Sequence, residues 1–330
     1  MALRSSAAGA AALIVLSALL ALALPSISLA TECLVFAIAA LAGNFLLGSV
    51  GLLSFGQAVF FGLSSYAAGL TMVHAGTGSL AAIIVGVLVA AAAGLLVGAV
   101  SVLRRGVYFI MLTLALGQMF FFITYAASDL TGGDNGLQNV PRNPLSIGGV
   151  TLVSLDDPLR MYLLVVTALV ICYLVLVRIV QSPFGAVLAA IRENEDRAIS
   201  IGYDSRAYKL AAFVVSSTIA GVGGALYALF LRFVPLSNID FSMNERLLIM
   251  AILGGTGSLF GGVLGGVGFT LLASVLSGFW AHWMLLLGAT LVVVSIWMRG
   301  GLWSGVERAL QVVTSNAASE EVARVEKQGT

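Results

Sequence analysis

The chain has 330 residues, of which 60% are hydrophobic and only 9% are charged, and its formal net charge is +1. A soluble domain carries about 25% charged residues, so this composition and the mean hydropathy of +1.06 argue against a soluble enzyme or a disordered chain. The small net charge gives no electrostatic basis for binding nucleic acid. The two cysteines alone cannot build a disulfide framework or a metal site. The sequence predicts an integral membrane protein.

Nine apolar runs are long enough to be candidate spans, since a helix crosses the hydrocarbon core with about 20 residues. In chain order they cover 7–24, 33–50, 52–73, 80–103, 107–127, 161–177, 210–231, 259–279 and 284–298. A tenth run, 247–253, is too short to span unaided and ends at Gly254 and Gly255. Backbone opened by glycines at membrane depth has to be buried in protein or to line a cavity, so we expect a short or broken helix there.

Basic residues predict the orientation, because cytoplasmic loops collect Lys and Arg. They concentrate in three connections, at 104–105, within 178–209 and in the tail from 299 onward. All three can be cytoplasmic only if the number of spans is even, which ten satisfies and nine does not. We therefore expect one all-α transmembrane domain over 1–330, with about ten helices, one of them short or broken. It would cross the bacterial plasma membrane with both termini in the cytoplasm and 300–330 as a cytoplasmic tail.

The first 30 residues have two interpretations. Arg4 precedes an apolar run, and Ser28-Leu29-Ala30 resembles a signal-peptide cleavage site. The run of about 18 residues is longer than a usual signal-peptide core, so we favour a retained first span.

Uncharged polar side chains occur within the predicted spans. They either form hydrogen bonds between helices or line a pathway for a solute, and both interpretations stay open. The candidates for the pathway are Asn44, Ser54, Gln57, Tyr66, Thr113, Gln118, Gly254 and Gly255. The glycines at 94, 98, 221 and 224 are expected instead to allow close contact between helices.

The segment 128–160 is too long for a simple connection on the face opposite the basic loops, and long loops are often functional. Its first part is dense in turn-forming residues. It is either a rigid array of turns or a contact surface for a solute or a solute-delivering partner. The candidate residues are Thr131, Gly132, Gly133, Asn135 and Gly136.

The segment 181–208 predicts an amphipathic helix on the basic side. Ser182 can cap it, Pro183 suits its first position, and Gly202 is a natural stop. Its charges nearly cancel, whereas a helix on a lipid surface is rich in Lys and Arg, so we favour docking to a protein over a merely solvated loop. The candidate residues are Ala190, Ile191, Arg192, Glu193, Asn194, Glu195, Asp196, Arg197 and Gly202.

The chain carries no recognisable energy source of its own. Neither of the two lysines, Lys209 and Lys327, follows a glycine-rich loop of the Walker type. No cofactor is expected. Glu32, Asp240 and Glu245 fall at predicted span ends or in loops, whereas an ion-coupled carrier places such groups inside its spans. An external energy source is the simpler interpretation, and a self-contained carrier or channel for a small polar solute is the alternative.

Several short motifs together resemble the bacterial branched-chain amino acid permeases. They are GLLSFGQA at 51–58 with FFG at 60–62, RGVYF at 105–109, TLALGQ at 113–118, LTGG at 130–133 with NGL at 135–137, SPFG at 182–185, AIRENE at 190–195, and LGGTGSL at 253–259. The loop motif at 130–137 is typical of the LivM-like subunit rather than its shorter LivH-like companion. The chain departs from the family at 64–65, where two serines replace the common Gly-Ala, and at 261–262, where two glycines replace Gly-Pro.

The resemblance implies a type II ABC-importer-like permease bundle. It implies a second, LivH-like permease subunit, two ATP-binding subunits, an external solute-binding protein and surrounding membrane lipid as partners. By the same analogy, residues 192–202 would rest on an ATPase, and the 128–160 face would receive the binding protein. The chain itself would be no enzyme. Leucine, isoleucine and valine are the expected cargo, with urea, short amides or aromatic acids as alternatives.

Overall fold

The computed structural model describes residues 6–147 and 150–279, together with 282, 284–289 and 292. Within them, seven helices are long and apolar enough to cross a membrane. They are α2 (Ile27–Phe45, continued by the π-helical turn Leu46–Val50), α3 (Gln57–Ala75), α4 (Ser79–Ser101), α5 (Val107–Ala126), α7 (Pro158–Gln181), α10 (Ser205–Leu231) and α12 (Leu259–Phe279). An eighth apolar helix, α1 (Ser6–Ala23), precedes them.

The remaining elements are short. They are α6 (Ser128–Thr131), the 3-10 turns Gly133–Asn135 and Leu236–Asn238, the strands β1 (Leu145–Ile147) and β2 (Val150–Val153), and the helices α8 (Pro183–Glu193), α9 (Glu195–Ser200) and α11 (Phe241–Gly254). The two strands pair antiparallel. This hairpin was not predicted from the sequence, although the architecture is otherwise helical as expected.

The helices confirm the predicted runs, with one correction among those described. The run 52–73 does not begin as a helix, because residues 51–56 are non-helical and α3 starts only at Gln57. Gly51 ends the preceding helical turn with a φ of 76°, a conformation that favours glycine. The last predicted span, 284–298, is described only at 284–289 and 292, and the predicted tail 300–330 lies outside the described residues.

Helices α2 and α10 form the centre of the bundle. Helix α10 packs against α2, α3 and α4, while α2 also contacts α7, α11 and α12. Of the seven candidate spans, α2 is the most buried, at 78% of its most apolar stretch, and α5 the least, at 22%. Helix α5 therefore turns most of its surface away from the rest of the chain.

Glycines permit the close approach of these helices, as predicted. Gly94 lies against Ser217, Gly221 against Ala90, and Gly224 against the backbone of Phe61. A methyl group at any of these three positions would collide with its neighbour. Small residues at such crossings let backbones pack closely where no hydrophobic effect drives association.

The connection between α10 and α11 dips into the bundle. Val234 pairs with Leu137 through backbone hydrogen bonds, and the chain then descends until Asn238 and Ile239 lie against Gly62, the sixth residue of α3. Helix α11 starts there and has only 14 residues. It confirms the predicted short element, and Gly255, with a φ of 90°, ends it.

The bundle has two ends, the α8–α9 face and the hairpin face. The α8–α9 face carries α8, α9, the α2–α3 turn at 46–56 and the α4–α5 connection at 102–106. The hairpin face carries the segment 127–157 and the end of α10.

Candidate functional site

The predicted pathway residues of α2 and α11 meet at the broken end of α11. The Asn44 Nδ2 atom donates to the carbonyl oxygen of Gly255 at 2.8 Å and to that of Ala251 at 3.4 Å. Asn44 is buried, and Gly254 packs against the backbone of Gly261. The amide of Asn44 thus satisfies carbonyl oxygens that the end of α11 leaves free.

A second polar group fixes the irregular segment 51–56 and the start of α3. The Thr113 Oγ1 atom accepts from the Phe55 backbone N–H at 3.2 Å, and the Ser54 Oγ atom accepts from the Gly56 N–H at 3.1 Å. The Asn244 Oδ1 atom of α11 accepts from the Ala58 N–H at 2.8 Å. These side chains satisfy backbone donors that no helical partner serves.

Gln57 lies next to this group and is only half satisfied. Its Nε2 atom donates to the Ser216 Oγ atom at 3.0 Å, and Ser216 donates to the Ala42 carbonyl oxygen at 2.8 Å. The Gln57 Oε1 atom is buried and has no hydrogen-bond partner among the described residues. Gln57, Ser54 and apolar side chains of α2 and α11 line a cavity of about 10 Å³, which is close to the space of one water molecule.

Tyr66 and Gln118 lie apart from that cavity. Tyr66 is nine residues farther along α3, and its hydroxyl group is buried without a partner in the described part of the chain. Gln118 is half-buried in α5. It follows Gly117, which lies against Asn244. The structure therefore brings Asn44, Ser54, Gln57, Thr113, Gly254 and Gly255 to one region, with Gln118 beside it and Tyr66 outside it.

The predicted helix at 183–202 is two helices, which corrects the sequence interpretation. Ser182 caps α8 and Pro183 opens it, as expected. Asn194 then adopts an extended conformation, with φ of −157° and ψ of 100°, and its Oδ1 atom accepts from the Arg197 N–H at 3.0 Å. Asn194 breaks the helix because it caps a new one, α9. Gly202, with a φ of 96°, follows the end of α9.

Helix α8 is anchored to the turn between α2 and α3. Leu188 and Ile191 are buried, which confirms the predicted apolar face, whereas Ala190 is exposed. The Arg192 guanidinium donates to the carbonyl oxygen of Gly48, and its methylene groups cover Gly51. The end of α8 is thus tied to the segment that starts α3.

One carboxylate, that of Glu195, ties α9 to α10 and to the α4–α5 connection. The Glu195 Oε2 atom lies 2.5 Å from the Lys209 Nζ atom and 3.0 Å from the Arg105 Nε atom. The Glu195 Oε1 atom accepts from the Ser205 hydroxyl at 2.9 Å. Asp196 lies 2.7 Å from the Arg105 Nη1 atom, and this hydrogen bond, helped by the charge of Glu195, raises the pKa of the Arg105 guanidinium.

The outer side of α9 and of the last residue of α8 is unattached within the described chain. Glu193 and Arg197 are exposed, and neither side chain forms an ion pair with a described residue. Ile199 and Ile201 are exposed beside them, with 44% and 71% of their surfaces accessible. Exposed apolar residues rimmed by charges are typical of a surface that contacts another protein.

The segment on the hairpin face begins with turns that side-chain hydrogen bonds hold. The Thr131 hydroxyl donates to the Thr124 carbonyl oxygen at 2.7 Å and accepts from the Gly133 N–H at 3.2 Å. Gly132, Gly133 and Gly136 all have positive φ. Asn135 ends the 3-10 turn and is exposed.

Comparison with known proteins identifies the family. The family model described as "Branched-chain amino acid transport system / permease component" matches residues 26–295. The chain belongs to this family. It is a multi-pass membrane permease and not an enzyme. No solved structure matches it significantly.

The permease is similar to two bacterial proteins named "High-affinity branched-chain amino acid transport system permease protein LivM". It is 28% identical to that of Salmonella typhimurium and 27% identical to that of Escherichia coli, over 314 residues in each case. Each alignment covers 90% of this chain and 74% of the relative. A "Probable branched-chain amino acid transport permease protein LivM" of Methanocaldococcus jannaschii is 31% identical over 96 residues, which are 28% of this chain and 27% of the relative.

Sequence reasoning missed the partners that hold the permease's candidate residues in place. Asn244 and Ser216 are polar residues beside the apolar, buried positions of α11 and α10, and that was the signal that could have found them. Lys209 was visible as one of only two lysines in the chain. Its pairing with Glu195 could not be read from the sequence, because it depends on how α9 folds back onto α10.

Proposed function

We propose that this permease is one of two membrane subunits of an ATP-driven importer for branched-chain amino acids. A second permease subunit would complete the pathway, two ATP-binding subunits would drive it, and an external solute-binding protein would deliver the cargo. The names of the two bacterial relatives both specify branched-chain amino acid transport, which supports this choice of cargo.

The observation that carries the proposal is the attachment of α8 and α9. Arg192 joins α8 to the α2–α3 turn, and Glu195 joins α9 to α10 and to the α4–α5 connection. A push on the exposed side of α9 would therefore reach three parts of the bundle at once. Such a segment suits the transmission of force from a partner that changes shape when it hydrolyses ATP.

The basic residues support an orientation. Arg104, Arg105, Arg192 and Arg197 all lie on the α8–α9 face, which is therefore the cytoplasmic side by the positive-inside rule. The hairpin face would be external. In this orientation the ATP-binding subunits meet α9 where ATP is available, and the binding protein meets the segment 127–157.

Purification through a tag on the C-terminal tail tests the assembly. We expect mass spectrometry of the mild-detergent complex to find two ATP-binding proteins and a second permease. We expect proteoliposomes that contain this complex and the binding protein to take up leucine only with ATP. A chain that purifies alone and transports with a gradient abolished by an uncoupler would contradict the proposal and establish the carrier. Competition by urea, short amides and aromatic acids would identify the cargo.

A further inference from the structure

Helix α11 presents a polar face away from the rest of the chain. Phe241, Ser242, Glu245 and Arg246 are all exposed, and their spacing at i, i+1, i+4 and i+5 places them on one side of a helix. We call these four residues the α11 face. The opposite side is buried and consists of Met243, Asn244, Leu247, Met250, Ala251 and Leu253.

The α11 face lies deep within the span of the neighbouring helices. Asn244 contacts Gly117, the eleventh of the 20 residues of α5, and also binds Ala58 near the start of α3. Ala251 contacts Gly43, seven residues before the end of the α2 span. Glu245 and Arg246 follow Asn244 directly, and each residue of a helix advances about 1.5 Å. Their charges are therefore at membrane depth, which corrects the expectation that Glu245 falls at the end of a span.

Lipid cannot be the neighbour of such a face. The exposed residues in the middle of α4, such as Leu88 and Leu96, are apolar, as lipid requires. A charged side chain in the hydrocarbon region is costly, so charges there face protein or a water-filled cavity. Neither Glu245 nor Arg246 forms an ion pair within the described part of the chain. Arg246 is close enough to Glu32 of α2 for their opposite charges to attract each other. The side chain of Glu32 is half-buried.

We propose that the α11 face binds the transported amino acid through the α-carboxylate and the α-ammonium group of that amino acid. The guanidinium of Arg246 can donate two parallel hydrogen bonds to the carboxylate of the amino acid, and the carboxylate of Glu245 can accept hydrogen bonds from its ammonium group. Phe241 stacks on Phe55, with ring centroids 6.3 Å apart, and offers an apolar surface to a branched side chain. This binding role rests on the proposed function and adds that the permease itself recognises a zwitterion.

Charge complementarity favours this occupant. A zwitterion carries a positive and a negative charge a few ångströms apart. The α11 face offers a negative and a positive charge on the adjacent residues Glu245 and Arg246. Adjacent residues of a helix do not face one another, and Glu245 and Arg246 do not form an ion pair with each other. Asp240 begins α11, where its Oδ2 atom accepts from the Ser242 hydroxyl at 3.0 Å. It adds a second acidic group for the ammonium.

Cysteine labelling of the assembled importer tests the proposal. The two natural cysteines, Cys33 and Cys172, are buried and are replaced by Ala in the background. A charged thiol reagent reacts with a thiolate, which forms in water and not in hydrocarbon. We expect S242C to react and L88C, in the middle of α4, to remain unreacted. An S242C as inert as L88C would overturn the proposal, because another protein surface or lipid would then cover the face.

Protection by ligands tests the chemistry at the same position. We expect millimolar leucine to slow the labelling of S242C by roughly ten-fold. Leucinamide and isocaproate, which each keep one charge, should protect less, and R246Q should abolish protection by leucine while R104Q, an exposed control, preserves it. Equal protection by all three compounds, or none by leucine, would overturn the proposal. A complex that takes up no leucine fails the proposed function in its own assay, whereas loss of protection in a transporting complex overturns only this inference.

Discussion

The Lys209 Nζ atom lies 2.5 Å from the Glu195 Oε2 atom, and both side chains are largely buried, with 6% and 17% of their surfaces exposed. This ion pair joins α9 to the second turn of α10, a central helix of the bundle. Arg105 adds a second contact to the same carboxylate from a more exposed position. A buried pair of this kind sets geometry more than it adds stability, so its main consequence is that α9 cannot move without α10.

Removal of Glu195 should be more damaging than removal of Lys209. E195Q leaves Lys209 buried without a counter-charge, which costs about 3–5 kcal/mol, whereas K209M leaves Glu195 with Arg105 and Ser205. We expect E195Q to lower the unfolding temperature of the purified chain more than K209M does, and both to reduce uptake. The double variant should recover part of the loss, since no unpaired charge remains. Equal stability of all variants and the parent would contradict this role.

Docking on an ATP-binding subunit should depend on the exposed side of α9 together with the last residue of α8. We expect E193K combined with R197E to prevent the ATP-binding subunits from purifying with the permease, while the unfolding temperature stays within the error of the parent. Glu195 is unsuitable for this test because it faces inward. An exposed residue elsewhere supplies the control: R160Q, at the start of α7 beside the hairpin face, should leave co-purification unchanged. Normal co-purification of the double variant would show that α9 docks elsewhere or not at all.

Gln57 and Gln118 should respond differently to alanine. Gln118 is half-buried and makes no hydrogen bond within the described chain, so Q118A should change the KM or the solute preference of uptake while stability is preserved. Q57A removes the bond to Ser216 and enlarges a cavity of about 10 Å³, so it should also lower stability, by roughly 1–3 kcal/mol. Unchanged transport by Q118A would make it a packing residue.

The sequence predicts the helices of this fold well because each apolar run is long and nearly free of charge. It also predicts the short element before Gly254, since the parity of the basic loops requires an additional crossing. The membrane depth of Glu245 could not be predicted, because the descent of the chain after Val234 depends on the pairing of Val234 with Leu137. Asn194 likewise ends one helix and caps the next, although its neighbours favour a continuous helix.

Arg142 connects the hairpin face to the C-terminal end of α10. Its Nε atom donates to the Leu229 carbonyl oxygen at 3.1 Å, its Nη2 atom to that of Phe230 at 2.8 Å, and its Nη1 atom to that of Leu155 at 3.3 Å. Burial, with the nearby charge of Arg232, lowers the pKa of the Arg142 guanidinium, but an arginine stays protonated at neutral pH.

Loss of Arg142 should therefore loosen the hairpin face without affecting α9. R142M leaves the last carbonyl oxygens of α10 without their donor, at a cost of roughly 1–3 kcal/mol, and R142K should recover little because lysine lacks the planar fork. We expect faster proteolysis within 127–157 and weaker stimulation by the binding protein, with normal co-purification of the ATP-binding subunits. If R142M lost those subunits instead, α10 would carry the disturbance from one face of the membrane to the other, and the two ends could not be treated as separate docking surfaces.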